Sequence, residues 1–167
     1  VESTSDLVLM FDEDTGTVRY VNGAARELLG LDDGDLDGLE LRDLLDEESD
    51  GMYIEDVRPV LLRGATWSGE LVMRTSSGED RHVWQTVAGE FDGNGVLVRD
   101  AAMGRDVTDR RLAESELAHQ ATHDPLTGLP NRSLLLNHLG LAIARSQRDA
   151  TLVGLLFLDL DRFKSVN

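Results

Sequence analysis

"GTVRYVNGAARELLGL", residues 16–31, changes period part-way along. Its first half is a short apolar strand, and in its second half Ala24, Leu28, Leu29 and Leu31 recur at helical spacing. Upstream, "DLVLMFD" (6–12) reads as another strand, set off by the turn-rich "EDTG" (13–16). Downstream, "LRDLL" (41–45) and "IEDVRPVLLRG" (54–64) read as short helices, the second started or interrupted near Pro59. Three strands follow: "TWSGELVMRT" (66–75), "RHVWQTVAGEF" (81–91) and "GVLVRDAAMGRDV" (95–107). Their connections, "SSGED" and "DGNG", have the glycines and polar residues that hairpins require. Two strands, several short helices and three strands predict an α+β domain with one five-stranded antiparallel sheet and its helices on one side.

The rest of the chain reads differently. Residues 1–103 hold 24 acidic and 8 basic side chains, whereas 104–167 hold 8 of each, so the whole net charge of −16 lies in the first part. That shift places a boundary near residue 104. An acidic first domain repels phosphates and argues against nucleic-acid binding there. With 41% hydrophobic and 29% charged residues the chain is globular, and its longest apolar run, "TLVGLLFLDL", is too short to span a bilayer. No signal peptide opens it, and the absence of cysteine excludes disulfides and thiolate metal sites, so a cytoplasmic setting is expected. "DGDLDGLELRDL" begins like a calcium loop at Asp33, Asp35, Asp37 and Gly38, but Leu44 stands where the bidentate glutamate belongs. An acidic loop is the better reading.

"TDRRLAESELAHQATH" (108–123) contains helix formers and neither glycine nor proline. Counted in heptads from Val107, its seam holds Val107, Arg110, Glu114, Leu117 and Ala121, too polar for a coiled coil by itself. A monomeric linker helix and one strand of a dimer held at both ends are equally compatible with it. "HDPLTGLPNR" (123–132) breaks this helix at Asp124-Pro125, and Asn131 is placed to cap a helix over "RSLLLNHLGLAIARSQR". "ATLVGLLFLDL" (150–160) reads as a buried strand; Asp159 near its end and Asp161 just beyond it are two apart and would share one strand face.

Through "GTVRYVNGAARELLGL", the "TWSGEL" opening of the third strand and the closing "GRDVTDRR", residues 1–109 resemble the PAS family of sensor domains. The resemblance implies that Asp106 and Thr108 of "DVTD" bond the backbone where the last strand meets an exit helix, and that a small-molecule ligand of unknown identity could occupy the pocket. Without cysteine there is no flavin–cysteinyl or cysteine-linked chromophore, and His82, at a strand start, is read as a surface residue and not a haem ligand. Trp67 and Trp84 are expected in the core, with a pocket lining as the alternative.

"DPLTGLPNR" followed by "FLDLDRFKSVN" resembles the start of a GGDEF domain, the diguanylate cyclase family, over residues 124–167. The organisation expected is a PAS domain at 1–109, a signalling linker helix at 110–123 and the truncated start of a palm-like α/β cyclase domain at 124–167. The resemblance assigns Mg2+ to Asp159 and the carbonyl of Leu160. It assigns the terminal phosphates of GTP to the turn Arg162–Phe163–Lys164, and the guanine edge to Asn167; Asp161 tunes the site or bonds the turn. Asp106, Thr108, Leu117 and Asp124 are the candidate signal-relay residues of a homodimer. The function implied is a PAS module controlling a cyclase that makes cyclic di-GMP from two GTP. The alternative is a non-enzymatic PAS relay on a degenerate GGDEF domain; a downstream phosphodiesterase domain fits either. No Gly-Gly-Asp/Glu-Glu-Phe sequence occurs in the 167 residues, so the carboxylate that completes the metal site is missing. Incubated with GTP and magnesium, this chain should therefore yield no cyclic di-GMP above a protein-free control by chromatography.

Overall fold

The structure, a computed structural model, describes residues 6–32 and 34–158. The chain divides into two compact units, residues 1–113 and 114–167.

In the first unit, β1 (Leu7–Asp12) and β2 (Val18–Val21) form a hairpin and α1 (Gly23–Leu29) follows at once. A 3-10 turn (Leu41–Leu44) leads to a helical run made of α2 (Glu47–Met52), a π-helical turn (Tyr53–Val57) and α3 (Arg58–Leu61). Then β3 (Trp67–Arg74), β4 (Asp80–Phe91) and β5 (Leu97–Asp106) complete a sheet of order β2-β1-β5-β4-β3, antiparallel at every pairing. The expected α+β architecture is the one observed.

The helices cover one face of this sheet. Leu9, Phe11, Leu71, Met73, Val83, Val87 and Ala102 of the strands are buried with Ala25, Leu29, Leu44, Val57 and Leu61 of the helical segment. Strand alternation explains the set: Val83, Gln85 and Val87 are buried while Trp84, Thr86 and Ala88 between them are exposed. Trp84 thus departs from its expected core position and is 53% exposed, whereas Trp67 packs against the core. The helical run differs too. Its start lies in "EESDGM", which has no apolar period; the buried residues Tyr53, Val57 and Leu61, four apart, carry the helix–sheet contact.

Asn22 fastens β1, β2 and α1 together. It is 1% exposed, and its Oδ1 accepts from the N–H groups of Val8 and Ala25, both at 3.0 Å, while Nδ2 donates to the carbonyl of Asp6 at 2.9 Å. It is at once the N-cap of α1 and a cross-link to β1. At the other end of α1, Gly30 takes the left-handed conformation (φ 68°), and a Cβ there would stand 2.6 Å from Ser76 Oγ.

In the second unit, α5 (Arg132–Asp149) forms as expected, capped by Asn131, whose Oδ1 accepts from Ser133 and Leu134. The expected strand at 150–160 is not formed over its described part: residues 151–158 are irregular, and Leu152, Leu156, Phe157 and Leu158 are exposed. An apolar run becomes a strand only beside a partner that supplies the ladder, and no paired strand lies beside it among the described residues. Helix α4 (Thr108–Thr122) starts in the first unit and ends in the second. No described helix is long and apolar enough to cross a membrane.

Replacing Asn22 with alanine strands two buried N–H groups and a carbonyl. The change should lower stability by about 2–3 kcal/mol, read as a drop in urea midpoint at unchanged slope.

Candidate functional site

The metal and nucleotide residues expected from the sequence, Asp159, Leu160, Arg162, Phe163, Lys164 and Asn167, lie outside the described residues. Among the described residues no group of three or more His, Asp or Glu is gathered to hold a metal ion. The site the structure does build is the joint where β5 gives way to α4.

Thr108 N–H donates to Asp106 Oδ1 at 2.8 Å, and Thr108 Oγ1 accepts from the His82 N–H at 2.9 Å. The Val107 N–H donates to the His82 carbonyl at 2.8 Å. Both backbone bonds expected of Asp106 and Thr108 are thus present, and both main-chain groups of His82 are used to hold the start of α4. The His82 ring serves the same joint. Its Nδ1 lies 2.8 Å from Glu70 Oε1, and Glu70 in turn receives Arg111 of α4 through Nε at 3.0 and 3.1 Å and Nη2 at 2.7 Å. Arg111's bonds, and behind them that of His82, hold the Glu70 carboxyl below its ordinary range. Glu70 and Arg111 are 41 residues apart, and the sequence reading passed over both. Glu70 stands on the outer face of β3, in step with exposed Ser68 and Arg74 and opposite in parity to buried Leu71 and Met73, so its place in the strand did not mark it out; its partner, an arginine one turn into the next helix, was the available signal.

The turn after α4 is built on two other signature residues. Asp124 Oδ1 accepts from the N–H of Leu126 at 3.1 Å and from both the N–H and hydroxyl of Thr127 at 2.9 Å. The Thr127 bonds, backbone first, depress the Asp124 pKa. Gly128 adopts φ 68°, and its N–H returns to the Asp124 carbonyl at 2.9 Å. Asn131, besides capping α5, donates from Nδ2 to the Ala121 carbonyl at 3.0 Å. "DPLTGLPN" is therefore a self-bonded turn that fixes the end of α4 to the start of α5. Leu117, on α4, is 66% exposed.

Among the described residues the core between sheet and helices is tightly filled. Between Leu9, Phe11, Tyr53, Met73 and Gln85 there remains a cavity of about 10 Å³, room for one water at most. A larger open cleft of about 730 Å³ lies on the outer sheet face, lined by Trp84, Thr86, Met103, Arg105 and Asp6 among others.

A sheet of this order, with an intervening helical layer and a strand-to-helix exit, agrees with the family comparison, in which the description "PAS fold" matches residues 1–112. The chain belongs to the PAS fold family. After the PAS domain comes the start of a GGDEF domain: the description "Diguanylate cyclase, GGDEF domain" matches residues 121–167. Among solved structures, a PAS domain of a protein from Colwellia psychrerythraea superposes with TM-score 0.60 at 18% identity, over 65% of this chain and 92% of that one. Two curated bacterial proteins are similar over their own shares. The cyclic di-GMP phosphodiesterase PdeR of Escherichia coli K12 is 26% identical over 167 residues, 99% of this chain and 25% of its own length. The bifunctional diguanylate cyclase/cyclic di-GMP phosphodiesterase MucR of Pseudomonas aeruginosa is 51% identical over 60 residues, 36% of this chain and 9% of its own. The chain thus spans a quarter or less of the length of these relatives.

At pH 7, Glu70→Gln should destabilise the PAS domain by about 1 kcal/mol. Because the Glu70 pKa is lowered on folding, its contribution is full above the unfolded carboxylate value and is lost as pH falls through the folded one. Urea midpoints of the two proteins should therefore converge in acid.

Proposed function

We propose that this chain is the sensing and coupling part of a cytoplasmic cyclic di-GMP signalling protein, in which a dimeric PAS domain governs a diguanylate cyclase domain. One observation carries the reading: β5 of the PAS sheet passes through the Asp106–Thr108 joint into α4, and the same helix ends in the Asp124–Asn131 turn of the GGDEF start. A change in the sheet thereby has a continuous hydrogen-bonded path toward the cyclase. On this reading Asp159 and the Leu160 carbonyl hold Mg2+, the 162–164 turn and Asn167 hold GTP, and Asp106, Thr108, Leu117 and Asp124 relay the signal. Joining two GTP molecules requires two half-sites to face each other, which a parallel dimer supplies. Exposed Trp84 and Met103 on the outer sheet face, 53% accessible each, support pairing there, while Leu117 supplies the apolar seam residue of α4.

The similarity to PdeR along 99% of the chain favours a second reading, in which the GGDEF domain is a non-enzymatic nucleotide-binding relay to a phosphodiesterase domain.

Both readings are tested in a longer protein that carries this chain together with an intact signature hairpin. The first expects GTP turnover, its loss by at least about a thousandfold in a folded Asp159→Ala variant, and a weakened dimer with reduced turnover in Leu117→Asp. Turnover is followed by chromatography of cyclic di-GMP and the dimer by light scattering at micromolar concentration. Monomeric wild type, or normal cyclisation by either variant, overturns it; nucleotide binding without turnover selects the second.

A further inference from the structure

Asp100 is a charged residue type in the core of the PAS sheet. It sits in β5 opposite Phe11 of β1 and Gly89 of β4 and is 1% exposed. Its Oδ2 accepts the Tyr53 hydroxyl at 2.5 Å, while its Oδ1 is buried with no hydrogen-bond partner among the described residues. An ionised carboxylate needs several donors when removed from water. Here it has one.

The neighbouring charges are engaged elsewhere. On the helical side, Arg58 donates to Glu13, from the β1–β2 turn, at 2.6 Å. Arg99, the chain neighbour, pairs with Glu90 of β4 at 3.1 Å and with Asp12 of β1 at 3.8 Å. Neither arginine bonds Asp100 among the described residues. Glu13 adds like-charge repulsion that Arg58 opposes. A proton on Asp100 removes the buried charge without needing space, in an interior whose cavity admits one water at most.

We propose that Asp100 is a buried proton-binding site and that its proton occupancy is a signal this PAS domain reads. The proposal rests on the sensor reading above and names its input. Two features connect the site to an output. Tyr53, the hydrogen-bond partner, opens the π-helical turn Tyr53–Val57, a wider and less regular helix segment. On the other side, Asp100 lies on the strand that ends in Asp106, the residue bonded to the first turn of α4. Deprotonation places a charge against Phe11 and Tyr53, and its relief is a shift of the Tyr53 turn or of β5. Burial pushes the Asp100 carboxyl above its ordinary range, against the opposing effect of the Tyr53 bond.

The sign of the effect follows. A carboxyl whose folded pKa exceeds the unfolded value of about 3.9 contributes stability that is full below that value and is lost as pH rises through the folded pKa. The test compares urea midpoints of the 167-residue wild type, Asp100→Asn and Tyr53→Phe between pH 4.5 and 8.5. Asparagine keeps the size and the acceptor but does not ionise. Its advantage over wild type should widen with pH, by at most about tenfold in the folding constant per pH unit, and level off above the folded pKa. Tyr53→Phe removes the bond that favours the charged form and should move the wild-type transition to higher pH. Amide exchange at residues 107–113, corrected for intrinsic rates, should follow the same transition in wild type and lose it in Asp100→Asn.

Parallel stability profiles for wild type and Asp100→Asn overturn the proton site, as does an unshifted transition in Tyr53→Phe should the asparagine variant fail to fold. Exchange at 107–113 that ignores the transition overturns the signalling role. None of these readouts involves GTP, so their failure is distinct from failure of the cyclase reading.

Discussion

The PAS sheet has one face that excludes water and one that meets it, and among the described residues the segment between β2 and β3 covers the first. Leu29, Val57 and Leu61 are the anchors of that cover, each wholly buried. Their packing is the main favourable term for a domain of this size, since apolar burial scales with the area removed from water. It also decides what the domain can contain. With Tyr53 set edge-on to Phe11 at 5.8 Å between centroids, the space between sheet and helices is filled by the protein's own side chains.

The hydrogen bonds then place the edges of this packed block. Asn22 sets where the chain leaves β2, and the Asp106–Thr108–His82 group sets where it leaves β5. The two are alike in design: a short polar side chain takes up N–H groups that a helix start leaves unpaired. At the second, a carboxylate–arginine contact adds a fixed point one turn into α4. Secure attachment of the first turn contrasts with the rest of α4, whose Leu112 and Leu117 are both exposed.

Much of this was legible from local pattern. The strands, α1, α5, the Asn131 cap and the Asp106–Thr108 bonds follow from periodicity, capping chemistry and family resemblance. What escaped had its cause at a distance. Tyr53 and Asp100 are 47 positions apart, and a carboxylate in "LVRDAAMG" is marked as inward-facing only by its parity with Ala102 and Gly104. The helical run from Glu47 hid because acidic residues and Gly51 open it, although Tyr53, Val57 and Leu61 hold the helical spacing. For Trp84 aromatic size is no sufficient sign of burial; the alternation of β4 puts it outside. The apolar run at 151–158 shows the limit of pattern itself, because β structure is a property of pairs.

The unequal surroundings of the two tryptophans give the domain a built-in optical contrast. Trp67 stands against the core, with Gly69 leaving room for its ring, while Trp84 faces solvent between Thr86 and Arg105 on the outer sheet. An indole in water emits to the red of one in an apolar setting, and the chain has no third to confuse the two. Anything that settles over the outer face should shift the long-wavelength part of the emission and make it less open to iodide. A rearrangement of the interior should act on the short-wavelength part alone. Whether a stimulus enters through the core or across the sheet is therefore written in the colour of the unlabelled protein's own light.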